Sequence, residues 1–170
     1  IASRTLSSRW GIQRVAGTLV AGLGGAITFH DAELVLAPRF LHELMPLFIG
    51  GRVEAQFEQI GWAFAEGGPK GPINGRIVWR NAVWTARGGD VALGNYVLEL
   101  ADKRDVVRGN LQTLSGPLSV QGELQWQSGA YGVEAQLRGP ATSNPGLRSS
   151  LSLLAVPVDG GFDLNLQGRL

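Results

Sequence analysis

Two histidines, scattered carboxylates and several glycine-rich stretches are the residues of this chain whose types could do chemistry. His30 and His42 stand in no metal-ligand spacing, and His42-Glu43 lacks the second histidine of a zinc-binding helix. His30-Asp31 has the residue types of a general base and its orienting carboxylate. Neighbours along a strand, however, point to opposite faces. No nucleophile accompanies the pair: Ser115 has Thr113 and Pro117 where a nucleophile elbow needs glycines. Gly67-Gly68-Pro69-Lys70-Gly71 has the outline of a phosphate loop. It lacks the Ser or Thr after lysine, and Pro69 removes a backbone donor where phosphate wants one. Ala21-Gly22-Leu23-Gly24-Gly25 carries no dinucleotide fingerprint, and both stretches read as hairpin turns. With no cysteine there is no disulfide framework and no thiolate zinc site. The sequence thus offers no catalytic residue, metal site or cofactor site, and a non-enzymatic protein is expected. A hydrolase would need the fold to bring together a His, an Asp and a nucleophile that the sequence keeps apart.

The five tryptophans are the other conspicuous residues. Trp79 and Trp126 close apolar alternations and read as core. Trp10 and Trp84 fit the alternation less well and are candidate interface anchors, because Trp is enriched where binding energy concentrates.

Charge narrows the partners. Fifteen basic and 14 acidic residues leave a net charge of +1, with no run of either sign. Nucleic acid is excluded on that ground, since phosphate binding needs clustered Lys and Arg. Charged residues make up 17% of the chain, below the roughly 25% of ordinary domains, and glycine, at 25 of 170, is about twice its usual share. That balance suits a sheet. No segment reaches the roughly 18 apolar residues of a spanning helix. The chain opens on Ile1 rather than Met, which is expected of a trimmed or processed product.

The elements that must position any site are strands. From Leu118 every second residue is apolar or glycine (Leu118, Val120, Gly122, Leu124, Trp126), and after Ser128-Gly129 the alternation resumes with Tyr131, Val133, Ala135 and Leu137. This predicts a hairpin with one apolar face. Core, lipid surface and protein dock are all readings of that face. The same period runs through 162–170. In 26–36 the phase slips at His30-Asp31, and in 52–64 it slips again between Phe57 and Ile60, so bulges are expected. Further strands are expected near 13–20, 73–79, 82–87, 91–101 and 106–112. Two segments read as short helices. One, about 38–46, gathers Phe40, Leu41, Leu44 and Met45 on one side. The other, about 145–155, is capped by Asn144, opens on Pro145 and carries a stripe of Leu147, Leu151 and Leu154. Gly71 to Trp79 and Gly116 to Trp126 echo each other as one hairpin design used twice.

Several stretches resemble type II secretion system protein N. Val15-Ala16-Gly17-Thr18-Leu19-Val20-Ala21-Gly22 is similar to that family's opening, Gly75 to Trp79 to a central strand, and Leu93-Gly94-Asn95-Tyr96 to its turn. Leu114 to Leu118 with Gly122, Leu124 and Tyr131 resembles its Gly-Pro hairpin. Leu147, Leu151, Leu154, Asp159-Gly160-Gly161-Phe162 and Gly168-Arg169-Leu170 resemble its closing pattern. The resemblance implies a single-pass inner-membrane protein with this domain in the periplasm, distantly similar to AsmA-type proteins. Its implied partners are the outer-membrane secretin and the inner-membrane platform proteins.

The expected architecture is therefore one all-β domain over 1–170, mainly antiparallel. It is a strongly curved sheet, taco-like half-barrel or sandwich, with one or two short helices. A last strand at the sheet edge, with Phe162, Leu164, Leu166 and Leu170, is the candidate docking strand for β-augmentation. The alternative function is a lipid-handling module with an apolar groove.

Overall fold

A computed structural model describes residues 4–8, 11–21, 26–36, 49–63, 68–86, 89–103 and 106–169. They form eleven strands in one sheet: β1 (Arg4–Ser8), β2 (Gly11–Ala21), β3 (Ala26–Leu36), β4 (Ile49–Ala63), β5 (Gly68–Ala86), β6 (Gly89–Lys103), β7 (Val106–Ser115), β8 (Ser119–Gln127), β9 (Ala130–Arg138), β10 (Ala155–Val158) and β11 (Gly161–Arg169). Every pairing is antiparallel, and the spatial order follows the chain until the end, where β11 lies between β9 and β10. Between β9 and β10 the chain makes a 3-10 turn (Pro140–Ser143) and one helix, α1 (Pro145–Leu151). The expected helix near 38–46, the turn at 22–25, His42, Trp10 and Leu170 lie outside the described residues. Among the described residues no helix is long and apolar enough to cross a membrane.

The pattern in 118–137 becomes the β8–β9 hairpin. Gln127 pairs with Ala130 across a two-residue loop, in which Ser128 and Gly129 have φ of 50° and 77°. Two successive positive φ values define the turn whose twist matches that of antiparallel strands. Val120 then faces Leu137, Gly122 faces Ala135, Leu124 faces Val133 and Trp126 faces Tyr131. Each expected apolar residue lands on one face, and the intervening Gln and Glu are exposed.

That register extends across the sheet as apolar rows. One runs Ala32, Phe57, Gly75, Leu100, Gly109, Leu124, Val133, Leu166. The alternation of large side chain and glycine decides how the row packs. A Cβ on Gly75 would sit 2.5 Å from the Phe57 ring, and one on Gly109 would sit 2.9 Å from Leu98 Cδ1. The neighbours occupy that space, so the strands approach and the sheet curls without closing into a barrel.

Both phase slips are bulges. Gly17 of β2 faces two residues of β3, Asp31 and Ala32, and Asp31 takes φ of 50°. In β4, Glu58 is the extra residue between Phe57 (opposite Gly75) and Gln59 (opposite Asn74). The apolar phase changes there because the bulge rotates the strand.

Other expectations are corrected. The two strands near 73–79 and 82–87 are one strand, β5, bent at Asn81 (φ 50°), whose N–H donates to Asn95 Oδ1 at 2.8 Å. Gly68 to Gly71 begins that same strand, so this part of the presumed turn is extended. Asn144 caps α1 as expected, accepting from Gly146 N–H (3.1 Å) and Leu147 N–H (3.0 Å). The helix nevertheless stops at Leu151, because Ala155 is drawn into pairing with Leu164. Leu154, expected on the buried stripe, is consequently exposed.

Candidate docking edge at the end of the sheet

The described side chains assemble no reaction centre. His30 and Asp31 sit at the β3 bulge, and no cluster of three or more His, Asp or Glu among the described residues is arranged to hold a metal. Three open clefts, of about 590, 460 and 430 Å3, lie in furrows between polar rows of the sheet. The first is lined by Asp31, Glu33, Glu58, Arg76 and Glu99, the second by Glu123, Glu134 and Asp163, the third by Glu99, Lys103, Arg108 and Glu123. Glu123 and Glu134 stand directly opposite each other across β8 and β9, an arrangement that costs stability.

The C-terminal end of the sheet differs in character. The chain leaves β9, crosses the apolar face through α1, returns as β10 on the rim, and turns at Asp159-Gly160 so that β11 slots in beside β9. The crossing element plugs the face. Leu147 of α1 is 3% exposed, and Phe162 beneath it is fully buried at 0%. The Arg148 guanidinium stacks 5.4 Å from the Phe162 ring centroid, a favourable placement of a cation on an aromatic face. Arg138 secures the strand beneath: its Nη1 donates to Phe162 O at 2.7 Å and its Nη2 pairs with Asp163 Oδ1 at 2.8 Å.

This placement sorts the candidate residues. Phe162 is the deepest residue of the core, its ring packed inward. Trp84 is 8% exposed and belongs to the same core. A Cβ on Gly146 would meet its ring at 2.8 Å, so Trp84 seats α1 on the sheet. Leu164 is half-buried against that core and Leu166 is half-buried on the next row. Nor is the rim formed by β11 alone, since β10 covers Gly161 to Leu164, and among the described residues Asn165 to Arg169 are uncovered on that side.

The residues that sequence reasoning missed are Leu153, Leu154 and Val156, exposed at 82%, 41% and 66%. They follow one another where α1 gives way to β10. The available signal was Pro157: a proline in a short apolar alternation marks an edge strand.

One open, curled antiparallel sheet, plugged at one end by a helix and, among the described residues, free along its rim, defines an all-β scaffold. Residues 3–165 match the family model of type II secretion system (T2SS), protein N, and the chain belongs to that family. It is thus a component of the type II secretion apparatus. No curated protein and no solved structure matches it.

Proposed function

We propose that this chain is a non-enzymatic structural and interaction component of the apparatus that holds a neighbouring component by the C-terminal rim of its sheet. Following the family resemblance, it stands on the periplasmic side of the inner membrane, anchored by a single span. Its partner is the secretin or an inner-membrane platform protein. One observation carries this reading: the uncovered β10–β11 edge with Leu153, Leu154 and Val156 exposed beside it. Apolar side chains grouped next to an uncovered strand edge mark an interaction surface.

The test is photo-crosslinking in cells that contain the whole apparatus, with the crosslinker at Leu153, Val156 or Gln167 and, as a reference, at Gln112 on the exposed polar face. A covalent adduct with the secretin or a platform protein from the rim positions, absent at Gln112, is the expected result. Rim positions that yield neither adduct would remove the proposal. The lipid-handling alternative predicts phospholipid retained stoichiometrically in native mass spectra.

A further inference from the structure

The hairpin geometry at the rim says which backbone groups are unpaired, and from this a partner's chemistry follows; the inference rests on the docking reading above. β10 and β11 join through the two residues Asp159 and Gly160, so Val158 and Gly161 close the hairpin. The closing pair of a two-residue hairpin exchanges both backbone hydrogen bonds, and orientation then alternates along each strand. Gly161 and Asp163 therefore point to β10, and Phe162, Leu164, Leu166 and Gly168 point to β9. Asn165, Gln167 and Arg169 point outward, beyond Ala155, where β10 begins.

The β8–β9 hairpin gives the same answer independently. Closed by Gln127 and Ala130, it turns Tyr131, Val133, Ala135 and Leu137 toward β11, opposite Gly168, Leu166, Leu164 and Phe162. A third observation agrees. Arg138 Nη1 reaches the carbonyl oxygens of both Leu137 (3.1 Å) and Phe162 (2.7 Å), which requires both to lie in the seam between β9 and β11.

The rim thus has two unlike halves. Along β10 the outward residues are Ala155 and Pro157, and Pro157 has no N–H, so that half is blunted. Along β11 three successive outward residues each present an N–H and a C=O, and all three side chains are exposed.

We propose that Asn165 to Arg169 accept an antiparallel five-residue strand of a partner protein, with apolar residues at its second and fourth positions and a carboxylate opposite Arg169. The apolar positions follow from register. The row ending in Val133 and Leu166 meets its next member opposite Leu166. Opposite Gly168, whose missing side chain leaves room for the Tyr131 ring (Oη 2.5 Å from a Cβ placed there), an apolar side chain packs beside an aromatic one. The charges follow from complementarity. Arg169 forms no ion pair among the described residues, whereas Asn165 is paired across β9 with Glu134. A carboxylate is therefore matched at the Arg169 end and a cation at the Asn165 end. The strand ends there, because the position opposite Leu164 belongs to Ala155.

The probe is acetyl-Glu-Val-Thr-Val-Lys-amide, titrated into the 15N-labelled chain, with acetyl-Lys-Val-Thr-Val-Glu-amide as its charge-reversed control. The Asn165, Gln167 and Arg169 amides are expected to exchange fast in the free protein and to shift and slow in exchange with the first peptide, and the second peptide is expected to bind at least threefold more weakly at low salt. Gln167→Pro removes one outward N–H and is expected to weaken binding about tenfold, while Gln167→Ala, which keeps it, stays within twofold. Retained protection of the Leu166 and Gly168 amides checks that Gln167→Pro leaves the β9 seam intact. If it does not, the charge-reversed peptide decides alone. Silent outward amides at millimolar peptide, equal binding of the two peptides, or Gln167→Pro binding like wild type in an intact seam would overturn strand addition. Rim crosslinks to the apparatus that persist in Gln167→Pro cells would show docking to stand while strand addition fails.

Discussion

Two apolar clusters lie on the same sheet and reach burial by different means. The first joins Trp84, Leu93, Tyr96, Leu118, Leu137, Leu147, Ala155 and Phe162, and is roofed by α1. The second joins Ala32, Ala55, Phe57, Ile73 and Val107, with no helix among the described residues over it. The first is closed by an added element, and the second lies along the row in which large side chains alternate with glycines. Their polar atoms differ accordingly. In the first, the Tyr96 hydroxyl lies 2.9 Å from the carbonyl oxygens of both Leu93 and Leu118 and shares its single proton between them, and neighbouring Trp79 donates its indole N–H to Gly50 O at 3.1 Å. Beside the second, the Trp126 indole N–H is buried with no hydrogen-bond partner among the described residues.

Large-to-small substitution should separate the two most. Phe162→Ala is expected to lower the unfolding free energy in urea by about 3–5 kcal/mol, the range for an aromatic whose cavity cannot collapse. Phe57→Ala should cost less, because a curled sheet can flatten onto the space. Equal losses would show that both clusters are equally rigid.

The next effect is confined to the second cluster. Gly75→Val puts a side chain where a Cβ already lies 2.5 Å from both Gln56 O and the Phe57 ring, and overpacking of this kind costs about 1–3 kcal/mol. Gly132→Val, with nothing within 4 Å of its Cβ, should be neutral in the same urea titration. A neutral Gly75→Val would mean that the close row does not set the curvature.

The smallest effect belongs to the first cluster and is read in alkali. Burial pushes the Tyr96 phenol up from 10.0 to about 12. Because the folded value is raised, the stabilisation is fully present below pH 10 and is lost as pH rises toward 12. Unfolding followed by tyrosinate absorbance should therefore steepen in that window. Tyr96→Phe should flatten it, at a cost of about 1–2 kcal/mol near neutrality for the carbonyl partners left behind. A wild-type profile unchanged by the substitution would remove Tyr96 as the alkaline weak point.

Much of this fold was legible because a strand writes its two faces into alternate residues. The hairpin at 118–137 could be read residue by residue, and even the bulges at Asp31 and Glu58 appeared as phase slips. The helix cap was legible for the same local reason, since Asn144 acts on N–H groups two and three residues away. The rim was not. Whether β11 has a covered or an open side depends on β10, a four-residue strand whose apolar residues resembled the end of a helix. Trp84 likewise broke the local pattern because its packing partner, Gly146, lies 62 positions further along the chain.

The sequence by itself determined most of the strands, the apolar face, the bulges and the β8–β9 turn, all set by neighbours within a few residues. Only the tertiary structure decided which strand lies at the edge, which aromatic is buried, and which backbone groups are left over. Those depend on what crosses the face and returns, and no local period records it.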